Sequence, residues 1–157
     1  VIHNRQLEGG DRLSTAQNFV TGQTVDRVNK DGVFMKPTVL VVEDDDTLRF
    51  LVAEALSMLE MHVIECATAD HALQILRESN SVSLVLTDIR MPGALDGLDL
   101  ARLIWDHWPH LPVILTSGHT QLANERLPPQ AAFMGKPWTL DQLYQAVSAR
   151  LPMQACG

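Results

Sequence analysis

The sequence predicts an α/β fold, a five-stranded parallel sheet that is doubly wound, with helices on both faces. Three observations carry that expectation. Short apolar runs of strand length alternate with amphipathic stretches of helical period along most of the 157 residues. The first run, Thr38-Val-Leu-Val-Val42, is apolar without a break, as in a strand buried on both faces. Parallel neighbours need crossover connections, and the intervening helical stretches supply them.

In chain order, the run from Thr38 to Val42 is bounded by Pro37 and an acidic cluster. Leu48, Leu51, Val52, Ala55, Leu56 and Leu59 then recur at helical spacing, with Asp46 placed as the N-cap. A strand over Met61–Glu65 leads into a helix over Ala69–Glu78 that turns Ala72, Leu73 and Leu76 inward. The next unit is a strand over Val82–Thr87 and a helix over Leu95–Trp108, with Leu100, Ala101, Ile104 and Trp108 on its inner stripe. A fourth strand spans Pro112–Thr116. The following stretch, Thr120–Leu127, has a weak apolar period and is cut off by Pro128-Pro129, which predicts a short or irregular fourth helix. A strand over Ala131–Met134 and a helix over Leu140–Leu151, opened by the capping box Thr139-x-x-Gln142, complete the pattern.

Residues 1–34 stand apart. They are polar, show no sustained period, and hold four basic and four acidic side chains, so the whole net charge of −7 falls in residues 35–157. They read as a flexible leader, with a folded domain over residues 35–153 and a tail over 154–157. The 12 basic residues against 19 acidic ones argue against direct nucleic-acid binding, which needs clustered Lys and Arg. No apolar stretch approaches the roughly 20 residues of a spanning helix. Cys66 and Cys156 fit no metal spacing and are too few for a disulfide framework, so a cytoplasmic, reducing compartment is expected.

In a doubly wound sheet, ligands bind outside the carboxyl ends of the strands. The first strand is followed by Glu43-Asp44-Asp45-Asp46, the third by Asp88, the fourth by Ser117-Gly118 after Thr116, and the fifth by Gly135-Lys136-Pro137. Converging there, Glu43, Asp44 and Asp88 are hard oxygen ligands suited to Mg²⁺, which relieves their mutual repulsion. Asp88 then suits a carboxylate nucleophile toward a phosphoryl group. Lys136 offers a point charge and Thr116 a hydroxyl to phosphoryl oxygens, while the small Ser117 leaves room for entry. Each residue alone has a plainer reading: an acidic run at a helix N-terminus, an ordinary strand threonine, a surface lysine at a turn. Four separate strand ends carrying the required types shift the balance.

The segments Val-Leu-Val-Val-Glu-Asp-Asp-Asp-Thr-Leu-Arg (39–49), Leu-Val-Leu-Thr-Asp-Ile-Arg-Met-Pro-Gly (84–93), Asp-Gly-Leu-Asp-Leu-Ala (96–101), Pro-Val-Ile-Leu-Thr-Ser-Gly-His (112–119) and Lys-Pro-Trp (136–138) resemble the receiver domain of two-component response regulators over residues 37–151. The resemblance implies the flavodoxin-like fold of the chemotaxis regulator, with Asp88 as phosphoacceptor. It further implies that Glu43, Asp44, Asp88 and the backbone carbonyl of Arg90 hold Mg²⁺. Thr116 becomes the switch hydroxyl, Lys136 the phosphate-binding lysine, Phe133 the aromatic that follows Thr116, and the Lys136–Pro137 peptide cis. A histidine kinase or histidine phosphotransfer protein is the implied donor, an unidentified protein the downstream target, and slow autodephosphorylation the only catalysis. Glu43 replaces the more usual Asp of the acid pair, and Trp138 stands where Phe is common.

Partners of this family dock around the first helix, which makes Phe50 a candidate contact. Trp105 and Leu98 lie off the inner stripe of their helix and read either as partly buried or as an exposed patch. His62, His71, His107, His110 and His119 have no metal spacing and read as surface or turn residues. Two further readings stand beside a stand-alone receiver: a receiver fragment of a hybrid histidine kinase or a phosphate sink, and a phosphatase of the haloacid-dehalogenase type. The last is weakened by Glu43 standing where that family's nucleophilic Asp belongs.

Overall fold

The computed structural model describes residues 30–33, 35–119 and 126–151. Five strands, β1 (Thr38–Val42), β2 (His62–Cys66), β3 (Val82–Asp88), β4 (Val113–Ser117) and β5 (Ala131–Gly135), form one sheet in the order β2-β1-β3-β4-β5, every pairing parallel. The helices are α1 (Asp46–Met58), α2 (Ala69–Glu78), α3 (Gly97–His107) and α4 (Leu140–Ser148). The expectations for most of the leader, for the C-terminal tail and for most of the Thr120–Leu127 stretch lie outside the described residues.

Alternation along the strands sends side chains to two apolar layers. Leu40, Val85 and Leu115 pack with Ala72 and Leu76 of α2 and with Leu100 and Ile104 of α3. On the other face Val41, Leu86 and Ile114 pack with Val52 and Leu56 of α1 and with Leu143 and Val147 of α4. Both faces of β1 and β3 are therefore covered, which explains the unbroken apolar runs, and each fully buried Leu or Ile contributes about 1.5–3 kcal/mol.

Local chemistry sets the helix starts. The N-cap of α1 is Asp45, one residue before the expected Asp46: the Glu43 carboxylate accepts a hydrogen bond from the Asp45 amide, and extended Asp45 accepts from the Leu48 amide at 2.8 Å. Asp46 falls in the first turn and pairs with Arg49. The third helix starts at Gly97, two residues later than the apolar period suggests, because Asp96 and Asp99 form a reciprocal capping box. The Thr139/Gln142 box opens α4, whose last regular residue is Ser148.

Two apolar residues depart from the predicted stripes. Leu51 is 56% exposed, because one residue step turns it about 100° from buried Val52. Trp108 caps the C-terminus of α3 and is only partly buried. Leu98 and Trp105 are partly buried against the α2–α3 layer and form no exposed patch.

Gly97 lets the start of α3 sit directly against the end of β3. A Cβ built there would lie 1.7 Å from the Asp88 carbonyl oxygen and 2.9 Å from the Ile89 Cα, while the Gly97 amide donates to the Ile89 carbonyl at 2.8 Å. Gly97→Ala must push the start of α3 off the backbone of Asp88. Its expected cost is about 2 kcal/mol of folding free energy, the usual scale of overpacking, read as a lower urea midpoint with an unchanged slope.

Candidate functional site

The order β2-β1-β3 makes the gap between β1 and β3 the point where the strand sequence reverses, so the loops leaving these two strands part in opposite directions and open a crevice. Val42 is in register with Thr87, so the next residues, Glu43 and Asp88, emerge side by side. Thr116 is opposite Asp88 on β4, and Ser117 opposite Gly135 on β5. Hydrogen bonds lock these ends together: the Glu43 amide to the Cys66 carbonyl at 3.0 Å, the Ile89 amide to the Thr116 carbonyl at 2.9 Å, and the Lys136 amide to the Ser117 carbonyl at 2.8 Å.

The side chains that result form a compact charged group. Glu43, Asp44 and Asp88 each bring a carboxylate oxygen within 4.8 Å of the others, with Glu43 and Asp88 buried and Asp44 exposed. The Lys136 ammonium reaches in from the end of β5, 3.1 Å from Glu43 Oε2 and 3.2 Å from Asp88 Oδ2. The Lys136–Pro137 peptide is cis. Trp138 lines the small cavity beneath these groups, together with Val52, Glu43, Asp88 and Thr116.

Two residues of the predicted set make contacts of another kind. Phe133, in register with Leu115, packs partly buried with the α2–α3 layer, on the face opposite to that of its neighbour Met134. Ser117 is buried, and its hydroxyl accepts from the His119 amide at 3.1 Å, so it shapes the loop after β4. Arg90, two residues beyond the end of β3, is exposed, and Met91 anchors the same loop in the core.

Three supporting residues escaped the sequence reading. The hydroxyl of fully buried Thr87 donates to the Asp88 carbonyl at 2.9 Å. Gly97 admits α3 against that same carbonyl. Arg49 donates to the Glu43 carbonyl at 2.8 Å. Each acts through a backbone contact made by folding; the only sequence trace is that all three lie inside the motif segments.

Burial pushes the Glu43 carboxyl above its ordinary value, and the neighbouring Asp88 pushes the same way, against the opposing pull of the Asp45 amide and Lys136. For Lys136, burial disfavours the ammonium, but Glu43 and Asp88 together outweigh it and raise its pKa. The site therefore has more negative charge than one lysine satisfies. Burial also pushes the Cys66 thiol up to about 11, which makes it unreactive.

A family model described as the response regulator receiver domain matches residues 39–148. The chain belongs to the response regulator receiver family. It is 36% identical over 112 residues to the DNA-binding transcriptional regulator NtrC of Proteus hauseri, covering 68% of this chain and 23% of that protein. It is 36% identical over 121 residues to the sensor kinase CckA of Brucella abortus, covering 74% of this chain and 13% of that one. Among solved structures, the response regulator TrrA of Thermotoga maritima, in complex with Mg²⁺ and BeF, superposes with a TM-score of 0.67 at 27% identity, covering 74% of this chain and 100% of that chain. The receiver thus spans under a quarter of the length of these two curated relatives. Membership of this family removes the haloacid-dehalogenase reading. No helix among the described residues is long and apolar enough to cross a membrane.

Receiver domains bind Mg²⁺ at an acidic cluster, and the group of Glu43, Asp44 and Asp88 fits that ion. The donors are hard oxygens, the cluster has one exposed side for retained waters, and its surplus negative charge calls for a cation.

A carboxyl whose pKa is higher folded than unfolded binds more protons in the native state. Metal-free receiver therefore loses stability through Glu43 as pH rises from its unfolded value of 4.5 to the raised native one. Glu43→Gln is expected to raise the urea midpoint in EDTA at pH 7.5, to flatten that part of the pH profile, and to weaken Mg²⁺ binding about tenfold, on the order of 1.4 kcal/mol. Denaturation at several pH values and a Mg²⁺ titration read both effects.

Proposed function

We propose that Asp88 accepts a phosphoryl group from a phosphohistidine on a histidine kinase or phosphotransfer protein, and that the acyl phosphate biases a two-state surface read by a partner protein. The observation that supports this reading best is the contact of Asp88 with Lys136 beside the acid pair at the β1–β3 crevice. Glu43, Asp44, Asp88 and the Arg90 carbonyl are the ligands proposed for Mg²⁺. When bound, the ion neutralises the cluster and draws charge from the transferring phosphoryl oxygens.

The chain's own groups supply the rest. Asp88 attacks phosphorus as the P–N bond of the donor breaks, and the histidine nitrogen takes a proton from solvent. The Lys136 ammonium pairs with a phosphoryl oxygen, and the Thr116 hydroxyl donates to another. Movement of Thr116 toward the phosphate and of Phe133 into the vacated space is the proposed switch. Water attacking the same phosphorus returns Asp88 slowly to its free state, so the domain is a substrate with weak phosphatase activity. A cytoplasmic location follows from the proposed kinase chemistry.

Phe50 is the proposed partner contact. It is 57% exposed and adjoins exposed Leu51 on α1, the helix that starts beside the acid pair. The domain works as a stand-alone receiver that relays phosphate to a target; the alternative is a phosphate sink or a receiver within a hybrid histidine kinase, as in CckA.

Incubation with acetyl phosphate and Mg²⁺ is expected to label Asp88 as a hydroxylamine-sensitive acyl phosphate, and Asp88→Asn to abolish the label. Rapid turnover of phosphomonoesters that survives Asp88→Asn would overturn the reading. Phe50→Ala is expected to slow transfer from a phosphorylated kinase or phosphotransfer protein about tenfold, as for an interface anchor, and to leave labelling by acetyl phosphate unchanged.

A further inference from the structure

We infer that Arg49 is a positioning residue for the metal-binding acid pair, because one guanidinium holds the peptide that joins Glu43 to Asp44. The inference rests on the proposed Mg²⁺ site and concerns a residue outside its ligand set.

Strand β1 ends at Val42, so the Glu43 carbonyl is the first that the sheet ladder leaves behind. Arg49, one turn into α1, donates to it through Nη1 at 2.8 Å. The Glu43 amide is held from the other side by the Cys66 carbonyl at 3.0 Å. The Glu43 carbonyl belongs to the peptide plane shared with Asp44, and that plane is rigid. Fixing its oxygen therefore sets how the chain turns from one carboxylate residue to the next.

The guanidinium is itself fixed in three directions. Besides the carbonyl it donates through Nη2 to Asp46 at 2.6 Å, and Nε lies 3.6 Å from Glu65 at the end of β2. Its side chain is only 17% exposed. Two carboxylates balance its charge, so a cation stands close to a cation-binding site without an unpaired positive charge facing it. Lysine has the charge but not the planar fork needed to span a carbonyl, α1 and β2 together.

Charge and geometry predict opposite signs. If Arg49 acted only as a nearby positive charge, neutralising it would tighten Mg²⁺ binding; if it acts by holding the peptide, neutralising it loosens the site. The fluorescence of Trp138, which lines the cavity with Glu43 and Asp88, and calorimetry follow Mg²⁺ binding to the full chain. Arg49→Lys and Arg49→Gln are both expected to weaken binding three- to tenfold, and the loss of acetyl phosphate labelling is expected to be recovered at raised Mg²⁺. Leu76→Ala, a core change on the opposite layer, is expected to lower stability and leave Mg²⁺ affinity unchanged.

Wild-type affinity in Arg49→Lys, or tighter binding in Arg49→Gln, would overturn the inference. Failure of the wild type to bind Mg²⁺ would instead overturn the proposed metal site. Should the variants not fold, side-chain NMR of the native protein decides. Separate, slowly exchanging Nη–H signals for Arg49 support a pinned guanidinium; signals averaged by free rotation overturn it.

Discussion

The site is built on an electrostatic debt. Two buried carboxylates, Glu43 and Asp88, leave neighbouring central strands at the one place in the sheet where the connections part, and exposed Asp44 adds a third within 4.8 Å. At such separations, in an environment of effective dielectric near 20, a like-charge pair costs on the order of 3 kcal/mol. Lys136 touches two of the three and leaves the cluster with surplus negative charge. A fold keeps such a cluster only if its backbone holds the carboxylates against their repulsion.

That restraint comes from how the strand ends are tied. Residues 39–42 and 84–88 are buried, and the two apolar layers grip them from both faces. At their carboxyl ends, hydrogen bonds run in series across the sheet: Glu43 to β2, Ile89 to β4, Lys136 from β5 to β4. Gly97 and Thr87 meet at the Asp88 carbonyl, and Arg49 holds that of Glu43. The carboxylates are free to answer to a cation, while the peptides that carry them are not free to retreat.

Most of the architecture was legible because burial on two faces writes itself as unbroken apolar runs, and the reversal of strand order places their ends together. Glu43, Asp44, Asp88, Thr116 and Lys136 could be placed from five short segments for that reason. Boundaries were harder. Asp45 and Asp46 are equally good caps by residue type, and the structure makes Asp45 the cap through the bond its carboxylate accepts from the Leu48 amide, with its own amide held by Glu43. Leu51 looked inward because apolar character was counted, whereas the width of the α1 contact stripe depends on what α1 packs against. Arg49, Thr87 and Gly97 serve through the backbone carbonyls of Glu43 and Asp88, and side-chain pattern has no mark for such service.

The arrangement also ties the two ligands of the proposed reaction to each other. Lys136 is a single ammonium shared between Glu43 and Asp88. A phosphoryl group on Asp88 brings close to two negative charges, and an ammonium drawn to it has less to offer Glu43, whose carboxylate is already disfavoured by burial. A divalent ion at the acid pair would then neutralise the Glu43 and Asp44 carboxylates. Metal and phosphoryl group are thus expected to favour each other through the limited supply of positive charge.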